Sequence, residues 1–443
     1  MKILIVYFQE NNKNIRNTIS EHLFSFARYS EEDCYYLNVA TGVPAYINRV
    51  DFDIVIYHYT LCACRFFRSK FEKQLVKWQK LKTIAGYKVA VLHDEYLNTD
   101  LLCRFFLEYS IKTVFTCLPQ TEWRHVYPKE LSGVEDFVTV LTGYIDEASL
   151  ERVSKYVDDE RDIDIGYRAR KVPYYLGRHG CLKWQIAEKF IDACRGSALK
   201  VDIATDTAQN VYFGDDWYKF LSRCRTVLGC EGGASMIDPD GQIKALVDDY
   251  IRQRPDASFD EVEQACFPGR DGNLSLFAIS PRHFECCITK TCQILVEGEY
   301  GGILKPGIHY IEVKKDWSNL KQVIKQIGDH DLCKTIAGNA YRDIVESGRF
   351  TYRKFVDTVI ESSSRQVRAK TSESEAEKKV LGKLISRERN SNFYLMPQRF
   401  KYLIHDLLRY LGVFEKYLQI REYGLQRFFM DITGRRNKNS HVS

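Results

Sequence analysis

Short apolar runs alternate with amphipathic segments along the first third of the chain. The amphipathic segments, such as residues 71–82, carry apolar residues at helical spacing, which is typical of helices that cross over a parallel sheet. Apolar runs of this length predict buried strands. The pattern therefore predicts a first Rossmann-like α/β domain over residues 1–150. Its predicted strands lie at residues 2–8, 54–57, 89–92, 114–117 and 138–141.

A charged segment without a strong apolar run, residues 149–161, interrupts this rhythm and is predicted to be a linker. After it the alternation restarts, with a helix predicted from Lys183 onward. The sequence thus predicts a second Rossmann-like domain over residues 160–346, followed by a closing helix within residues 347–364. The predicted strands of this domain lie at residues 163–166, 199–203, 226–229 and 293–296.

The last part of the chain, residues 365–443, is predicted to be a basic helical tail. Residues 365–390 are rich in Ser, Glu, Lys and Arg, which indicates a mobile or loosely helical connector. After Pro397, two segments place apolar residues on one face of a helix, with Lys and Arg off that face. Two interpretations stay open, a helical hairpin docked on the body or a basic amphipathic surface for anionic lipid. The apolar face of the first segment consists of Phe400, Leu403, Ile404, Leu407, Leu408 and Leu411.

Composition agrees with a folded chain of two domains and an appendage. The chain has 443 residues, of which 45% are hydrophobic and 13% aromatic, so a sizeable core is expected. The net charge is +5, but the tail carries about twice as many basic as acidic residues and the body is net acidic. An acidic body without a recognisable motif argues against nucleic acid as a partner.

Cysteine usage and hydropathy bear on the cellular compartment. The 14 cysteines include no Cys-x-x-Cys pair, so free thiols in a reducing compartment are favoured over a zinc site. No apolar run is long enough to span a bilayer, and the first apolar run fits a buried strand better than a signal peptide. We therefore expect a cytoplasmic protein, peripheral at the inner face of the cell membrane if the tail binds lipid.

Two open α/β domains in series create a cleft at the carboxyl ends of their strands, where ligands of such folds bind. The loop at residues 229–235 follows a predicted strand, and Gly232 and Gly233 would let the backbone approach a ligand closely. A structural turn accounts for such glycines equally well.

The segment Ser280-Pro281-Arg282 has the pattern of a helix start, which is a place where anions bind. Arg282 would reach a phosphate, and Glu285 would hold a sugar or ribose diol through its two oxygens. The alternative is a charge pair at a solvated surface.

These segments resemble a group of bacterial glycosyltransferases with the GT-B fold, distant relatives of the retaining family-4 enzymes. The resemblance is carried by ISPRHFE at residues 279–285 and ILVEGEYGGILKP at residues 294–306. It extends to residues 164–168, 217–221 and 228–235 and covers roughly residues 161–355. It implies two Rossmann-like domains that face a cleft, with the nucleotide-sugar on the second domain and the acceptor on the first.

The resemblance implies a role for each matched residue. Glu285 would hold the ribose of the donor, and Arg168, Arg178 and Lys183 would engage its diphosphate. The reaction would move a sugar, of the hexosyltransferase type, to a hydroxyl of a glycan or glycolipid in bacterial surface polysaccharide synthesis. The implied donor-binding set is Arg168, Arg178, Lys183, Gly232, Gly233, Ser280, Arg282 and Glu285.

No cofactor and no strictly required metal are expected, since Arg, Lys and helix N-termini can stabilise a leaving diphosphate. Asp238-Pro239-Asp240 has the spacing of a metal-binding pair, but it precedes a predicted helix and is interpreted as a turn and cap.

One position departs from the retaining enzymes, which carry a second glutamate eight positions before the ribose-binding one. Here that position is Phe277. Asp271 either substitutes for the missing acid or is an ordinary loop aspartate. The sequence therefore assigns neither retention nor inversion of configuration.

In the first domain, His93-Asp94-Glu95 follows a predicted strand and is expected to face the cleft. These residue types suit acceptor contact or base catalysis, and a structural role is the alternative. Thr142-Gly143-Tyr144 ends the last strand of this domain and is expected to line the same cleft.

Two rival functions stay open. An epimerase or hydrolase of the same fold would use the donor pocket without a second substrate. A non-catalytic sugar-binding or assembly protein would bind the donor without turnover, in agreement with the missing glutamate.

Overall fold

The computed structural model describes residues 1–10, 16–157, 160–205, 212–367 and 374–396. Its first domain is built on a six-stranded sheet in the order β2-β1-β3-β4-β5-β6 in which all paired strands run parallel. The central strands are buried on both faces because helices cover both sides of the sheet. The strands are β1 (Lys2–Tyr7), β2 (Asp33–Asn38), β3 (Asp51–Tyr57), β4 (Ala85–Val91), β5 (Thr113–Thr116) and β6 (Asp136–Thr139).

The helices of the first domain include the two longest, α1 and α4, which bury apolar faces rich in Leu and Phe against the sheet. The segment predicted as one helix over residues 71–82 is shorter, because the chain passes into a 3₁₀ turn after Lys77. The helices are α1 (Asn17–Tyr29), α2 (Tyr59–Cys62), α3 (Arg68–Lys77), α4 (Thr99–Tyr109), α5 (Trp123–Val126), α6 (Lys129–Ser132) and α7 (Glu147–Ser154).

The second domain has a five-stranded sheet in the order β13-β12-β9-β7-β8, again with parallel pairs. A separate two-stranded antiparallel ribbon pairs β10 with β11. The strands are β7 (Ile163–Arg168), β8 (Val201–Ala204), β9 (Cys224–Gly229), β10 (Gly232–Ala234), β11 (Leu276–Ala278), β12 (Cys292–Val296) and β13 (Ile311–Val313).

The helices of the second domain pack on both faces of its sheet and around the ribbon. The first of them, predicted from Lys183, already begins at Gly177. A π-helical stretch, Tyr341–Glu346, extends the last of them. The helices are α8 (Gly177–Ala193), α9 (Asp215–Arg223), α10 (Gln242–Gln253), α11 (Phe259–Cys266), α12 (Pro281–Ile288), α13 (Leu320–Ile327) and α14 (His330–Ala340).

Both sheets have the same doubly wound order, in which the first strand of the domain lies between its second and third. The strand order reverses at that point, between β1 and β3 in one domain and between β7 and β9 in the other. Crevices at such switch points are where ligands of open α/β sheets bind. The predicted fold class, two Rossmann-like domains that face a cleft, is confirmed.

Two helices, α7 and α16 (Glu375–Arg389), lie in segments that the sequence predicted to be a linker and a connector. Residues 147–154 form α7, so the linker predicted over residues 149–161 begins inside a helix. The later part of the connector predicted as mobile or loosely helical, residues 365–390, forms α16 (Glu375–Arg389), which starts with a capping box between Ser374 and Glu377. The closing helix α15 (Tyr352–Ser364) packs back on α1, and the short α17 (Ser391–Tyr394) ends the described chain.

Helix α16 packs against β2, the outermost strand of the first sheet. Leu381 and Leu384 are buried in the core of the first domain, while Tyr7 donates a hydrogen bond to Glu388. These contacts explain why the charged segment is ordered here. The two amphipathic segments predicted after Pro397, with either of their interpretations, lie outside the described residues.

All the cysteines are free, and most are buried. Within the described part of the chain, no group of His, Cys, Asp and Glu is arranged to hold a metal ion. Among the same residues, no helix combines the length and the apolar character that crossing a membrane requires.

Candidate functional site

A cavity of about 450 Å³ lies between the two domains, at the carboxyl ends of the second sheet. Its floor is the switch point of that sheet, where β7 ends at Arg168 and β9 ends at Gly229. Its opposite wall comes from the first domain, where residues 16–18 begin α1 directly after the switch point of the first sheet. The cavity is therefore the ligand crevice that the two strand orders predict.

Three helices begin at the wall of this cavity. They are α1 after Arg16, α9 after Gly214 and α12 after Ser280. Gly214 adopts a positive φ of 59° at the start of α9, and Pro281 occupies the first turn of α12, so each sequence favours a helix start at its position. Because the first N–H groups of a helix have no partner within it, three starts on one cavity create a site for an anion.

The charged side chains of the lining are mostly basic. Glu285 is the single acid of the lining, against five basic residues. Arg16, Arg170 and Lys183 have no ion-pair partner among the described residues, so their charge is available to a ligand. The basic residues of the lining are Arg16, Arg168, Arg170, Lys183 and Arg282.

Arg168 is only 8% exposed, and contacts with its neighbours hold its side chain in place. Its guanidinium donates to the carboxylate of Asp202 at 2.9–3.0 Å and lies over the ring of Phe220. Its Nε is buried and has no partner within the described structure. Since an unpaired buried donor costs free energy, a ligand that supplied an acceptor to this atom would be favoured.

Glu285, the acid of the lining, is 9% exposed. Burial raises the pKa of its carboxyl, while the hydrogen bond from Trp217 and the charges of Arg282 and Arg16 act in the opposite direction. A buried acceptor with one hydrogen bond from Trp217 is suited to bind hydroxyl groups of a ligand.

Aromatic side chains form one wall near Glu285. Tyr212 and Phe213 are 38% and 42% exposed, although they are large and apolar. Tyr212 stacks on Phe220 and Trp217 stacks on the same ring, with interplanar angles of 21° and 27°. Exposed aromatic faces inside a cavity are suited to stack on a planar ring of a ligand. Sequence reasoning did not identify this wall.

Six of the eight predicted donor-binding residues line the cavity, and two do not. The two exceptions are Gly233 and Arg178. Gly233 pairs with Phe277 in the ribbon and has a φ of 104°; a Cβ there would meet the carbonyl oxygen of Leu276. A glycine is therefore required here by the pairing of the ribbon, which is a structural reason and not a binding one. The six lining residues are Arg168, Lys183, Gly232, Ser280, Arg282 and Glu285.

Arg178 lies away from the cavity, so its position does not match the predicted contact with a diphosphate. Its guanidinium forms ion pairs with Asp260 and Glu263, at 2.9 and 2.8 Å. Both acids lie on α11, within the long segment between the two strands of the ribbon. Arg170, which the resemblance did not include, lines the cavity together with the predicted Arg168 and Lys183.

The acid that the retaining enzymes carry at the position of Phe277 has no replacement at the cavity. Phe277 stacks on the ring of His179, with centroids 4.1 Å apart. Asp271 accepts hydrogen bonds from Ser235 Oγ and from the backbone N–H of Arg178. It holds two segments together and is not part of the cavity lining, which agrees with an ordinary loop aspartate.

The three residues predicted for catalysis in the first domain do not line the cavity. Glu95 is buried in the interior of that domain, and His93 is half-buried. Glu95 is fully buried and accepts hydrogen bonds from Thr116 and Tyr127. His93 stacks on Tyr59 at 3.9 Å, and burial lowers its pKa to about 4. Glu95 thus has the contacts of a structural residue, whereas His93 is held by ring stacking and its Nε2 has no hydrogen-bond partner among the described residues.

Asp94 alone of the three is exposed, at a strained backbone position with a φ of 55°. The buried Arg65 donates hydrogen bonds to the carbonyls of His93 and Asp94 and holds this turn. A rigid, exposed carboxylate at the carboxyl end of β4 remains a candidate for contact with a second substrate.

The two domains are joined at the cleft by direct contacts. Thr142 Oγ1 donates to the carbonyl of Ile279 at 2.6 Å, and the neighbouring Gly143 lies against Pro281. The predicted cap at Asp238 is present, since its carboxylate accepts from the backbone N–H of Lys244. The backbone of Asp238 also pairs with Asn98 of the first domain. These contacts fix the first domain relative to α12.

Sequence reasoning did not identify Arg16, Arg170 or the aromatic wall as parts of the site. Arg170 lies two residues after the matched segment at 164–168, so extending that segment would have found it. Arg16 belongs to the other domain and has no motif around it. The only signal is its position, since it precedes the first helix after the first strand.

No protein-family model and no curated protein sequence matches the chain. Among solved structures, it is similar to the Anabaena protein HepE in complex with UDP-glucose, with 12% identity, 82% of this chain and 100% of that chain covered, and a TM-score of 0.43. It is also similar to sucrose-phosphate synthase from Thermosynechococcus elongatus, with 10% identity, coverage of 82% and 98%, and a TM-score of 0.44.

A third similar structure is AviGT4, a glycosyltransferase involved in avilamycin A biosynthesis, with 10% identity, coverage of 82% and 97%, and a TM-score of 0.40. The two Rossmann-like domains that the sequence resemblance implied are seen in the two parallel sheets of the chain itself. Likenesses of this size assign neither a fold nor an activity to this chain.

Proposed function

We propose that the protein is a glycosyltransferase, which moves a sugar from a nucleoside diphosphate sugar to a hydroxyl group of an acceptor. The observation that supports this most is the composition of the interdomain cavity. Unpaired basic side chains and three helix starts face one space, and a buried carboxylate and an aromatic wall lie at its edge. These features match the diphosphate, the ribose hydroxyls and the planar base of a nucleotide.

In this proposal the second domain holds the donor. Arg168, Lys183 and Arg282 bind the diphosphate together with the N-terminus of α12. When the sugar leaves, negative charge builds on the diphosphate, and preorganised cations and N–H groups stabilise it more strongly in a water-poor cleft than in bulk solvent. Such a site does not strictly require a metal ion.

Glu285 accepts hydrogen bonds from the ribose in this arrangement. The carboxylate is buried next to Trp217, which orients it, and the charges of Arg282 and Arg16 favour its ionised form. The base then stacks against the exposed faces of Tyr212 or Phe213.

The first domain would bind the acceptor. Asp94 is the exposed acid of its predicted catalytic segment and is our candidate for contact with the acceptor hydroxyl. We further propose a hexosyl donor and a glycan or glycolipid of bacterial surface polysaccharide as acceptor. A lipid-linked acceptor would give the basic tail a purpose, by keeping a cytoplasmic enzyme at the inner face of the cell membrane.

The test is release of nucleoside diphosphate from a panel of nucleotide-sugars, with mixed bacterial glycolipid as acceptor. We expect release that requires acceptor and falls at least tenfold in Glu285→Gln, because the amide cannot replace an ionised acceptor. Glu299→Gln, an exposed surface change, is the matched control.

Other outcomes would replace this proposal. Turnover of the donor without acceptor would indicate the epimerase or hydrolase of the same fold. Donor binding without any turnover would indicate the sugar-binding or assembly protein.

A further inference from the structure

The first domain presents a cation to the cavity whose charge no described residue neutralises. Arg16 is exposed, precedes α1 and lines the cavity together with Asn17 and Thr18. None of the ion pairs among the described residues includes it. Since surface arginines commonly pair with nearby carboxylates, an unpaired guanidinium at a cavity wall indicates that its partner is a ligand.

The facing wall carries a second group without a partner. Arg168, on the second domain, is more than nine-tenths buried, and its Nε makes no hydrogen bond within the described structure. Lys183 lies on the same wall without an ion-pair partner. An anion in this cavity would therefore receive donors from both domains, and the first turn of α1 adds its free N–H groups.

Arg16 and Arg282 both act on the same carboxylate. The positive charges of these two residues, one from each domain, favour the ionised form of Glu285. Arg16 is therefore close to the end of the cavity that holds Glu285, the end at which the proposed function places the ribose and the phosphate attached to it.

The position of Arg16 relative to the second domain is fixed by contacts on the cleft. Thr142 hydrogen-bonds to the carbonyl of Ile279, just before α12. On the other side, the backbone of Asn98 donates to the carbonyl of Asp238 at 2.8 Å. These contacts hold the domain that carries Arg16 against the domain that carries Arg168 and Arg282.

We propose that Arg16 is a catalytic residue, which contacts the diphosphate from the first domain and stabilises the charge that develops on it. This inference rests on the proposed function. In the step concerned, the bond between the anomeric carbon and the diphosphate oxygen breaks, and its electron pair stays on the diphosphate. The acceptor oxygen forms the new bond to the anomeric carbon, and the hydroxyl proton passes to solvent.

Because Arg16 belongs to the acceptor domain, leaving-group stabilisation is complete only when both domains surround the donor. Loss of sugar to water from an open cleft is thereby disfavoured. This arrangement couples the two halves of the molecule through a single guanidinium.

The test compares UDP and GDP with UMP and GMP as ligands of the full chain, by calorimetry, for wild type, Arg16→Ala and Arg16→Lys. We expect Arg16→Ala to weaken the binding of the preferred diphosphate by roughly 10- to 100-fold and of the matching monophosphate by less. Arg16→Lys should recover part of the loss, because a point charge replaces part of a bidentate contact. Arg49→Ala, an exposed change far from the cavity, is the control.

The same variants separate failure of this inference from failure of the proposed function. If wild type binds neither diphosphate and releases no nucleoside diphosphate from the panel of nucleotide-sugars, the proposed function is wrong. If wild type binds one and Arg16→Ala, with an unchanged unfolding temperature, binds it equally well, Arg16 has no contact with the diphosphate. Where transfer is measurable, kcat at saturating donor should fall over the same range in Arg16→Ala.

Discussion

The indole Nε1 of Trp217 donates a hydrogen bond to Oε2 of Glu285 at 2.7 Å. Glu285 is buried, so this bond and the nearby charges of Arg282 and Arg16 are what favour its ionised form. The proposed ribose contact thus depends on a residue from a different helix, α9, which the sequence places far from Glu285.

Trp217→Phe should keep the ring and remove the donor. We expect the pKa of Glu285 to rise further and donor binding to weaken by roughly 1.5–3 kcal/mol, the usual contribution of a hydrogen bond to a charged group. Isothermal titration with the preferred nucleoside diphosphate measures this. Trp184→Phe, which changes a tryptophan outside the cavity, should bind as wild type does; equal loss in both variants would show a general packing effect.

Acid should destabilise the first domain through a cluster of three histidines. His22 Nδ1 lies 2.9 Å from His58 Nε2, and the ring of His93 lies 5.2 Å from that of His22. Burial lowers the pKa of all three, to about 4 for His93. Below the ordinary histidine pKa of about 6.5 the unfolded chain binds protons that the folded chain does not, so stability falls as pH decreases.

Denaturant unfolding at pH 8, 6.5 and 5 tests this expectation. The free energy of unfolding should decrease between pH 6.5 and 5, and His93→Phe should reduce that decrease by an amount of order 1 kcal/mol. His330→Phe, at an exposed position, should leave the pH dependence unchanged. A wild-type stability that is flat from pH 8 to 5 would contradict the expectation.

Glu21 should give stability a pH dependence opposite to that of the histidine cluster. It borders a second space of about 640 Å³ between α1, α7 and α9, and its side chain is 12% exposed. Burial, with Asp146 and Glu285 nearby, raises its pKa to about 7. The folded chain therefore retains a proton that the unfolded chain loses above its ordinary pKa, so this group lowers stability as pH rises toward 7 and costs most above 7.

Glu21→Gln should stabilise the protein at pH 8 by about 1–3 kcal/mol and change little at pH 5. Thermal unfolding at the two pH values measures the difference. Glu151→Gln, an exposed change on α7, is the comparison and should alter neither value. If Glu21→Gln stabilises equally at both pH values, titration of Glu21 is not the cause.

Gly143→Ala tests the contact between the domains at the cleft. A Cβ at this position would lie 2.6 Å from Cγ of Pro281, so Pro281 and the start of α12 must shift. We expect a loss of roughly 1–3 kcal/mol in stability and weaker binding of nucleoside diphosphate, since α12 carries Arg282 and Glu285. Gly338→Ala, with open space around its Cβ, should not destabilise and should bind normally.

The sequence predicted the two sheets except for their edge strands β2 and β13, and it predicted the start of α12, because apolar runs and a Ser-Pro helix start are local signals. It did not predict the side-chain directions after β4. A positive φ at Asp94 turns the chain, so Glu95 enters the core although it follows the strand as His93 does. Periodicity cannot reveal such a change.

The donor site was predicted only in part, because the sequence motifs reveal some of its residues and the tertiary structure brings in the others. Residues near the matched motifs, such as Lys183 and Glu285, line the cavity as expected. Arg178 does not, because α11 supplies two acids that the pattern of the family did not include. Arg16 approaches from the other domain, and only the tertiary structure brings it to the same cavity.

Helix α16 also decides how the C-terminal tail can be studied. The outer strand β2 ends the first sheet, and unpaired sheet edges invite association with other chains. Removing residues 365–443 would take away the helix that packs on this strand, together with the buried Leu381 and Leu384. Aggregation would then be mistaken for an altered affinity for membranes. A chain that ends at residue 396 keeps this protection and is the proper starting point for vesicle-binding experiments on the tail.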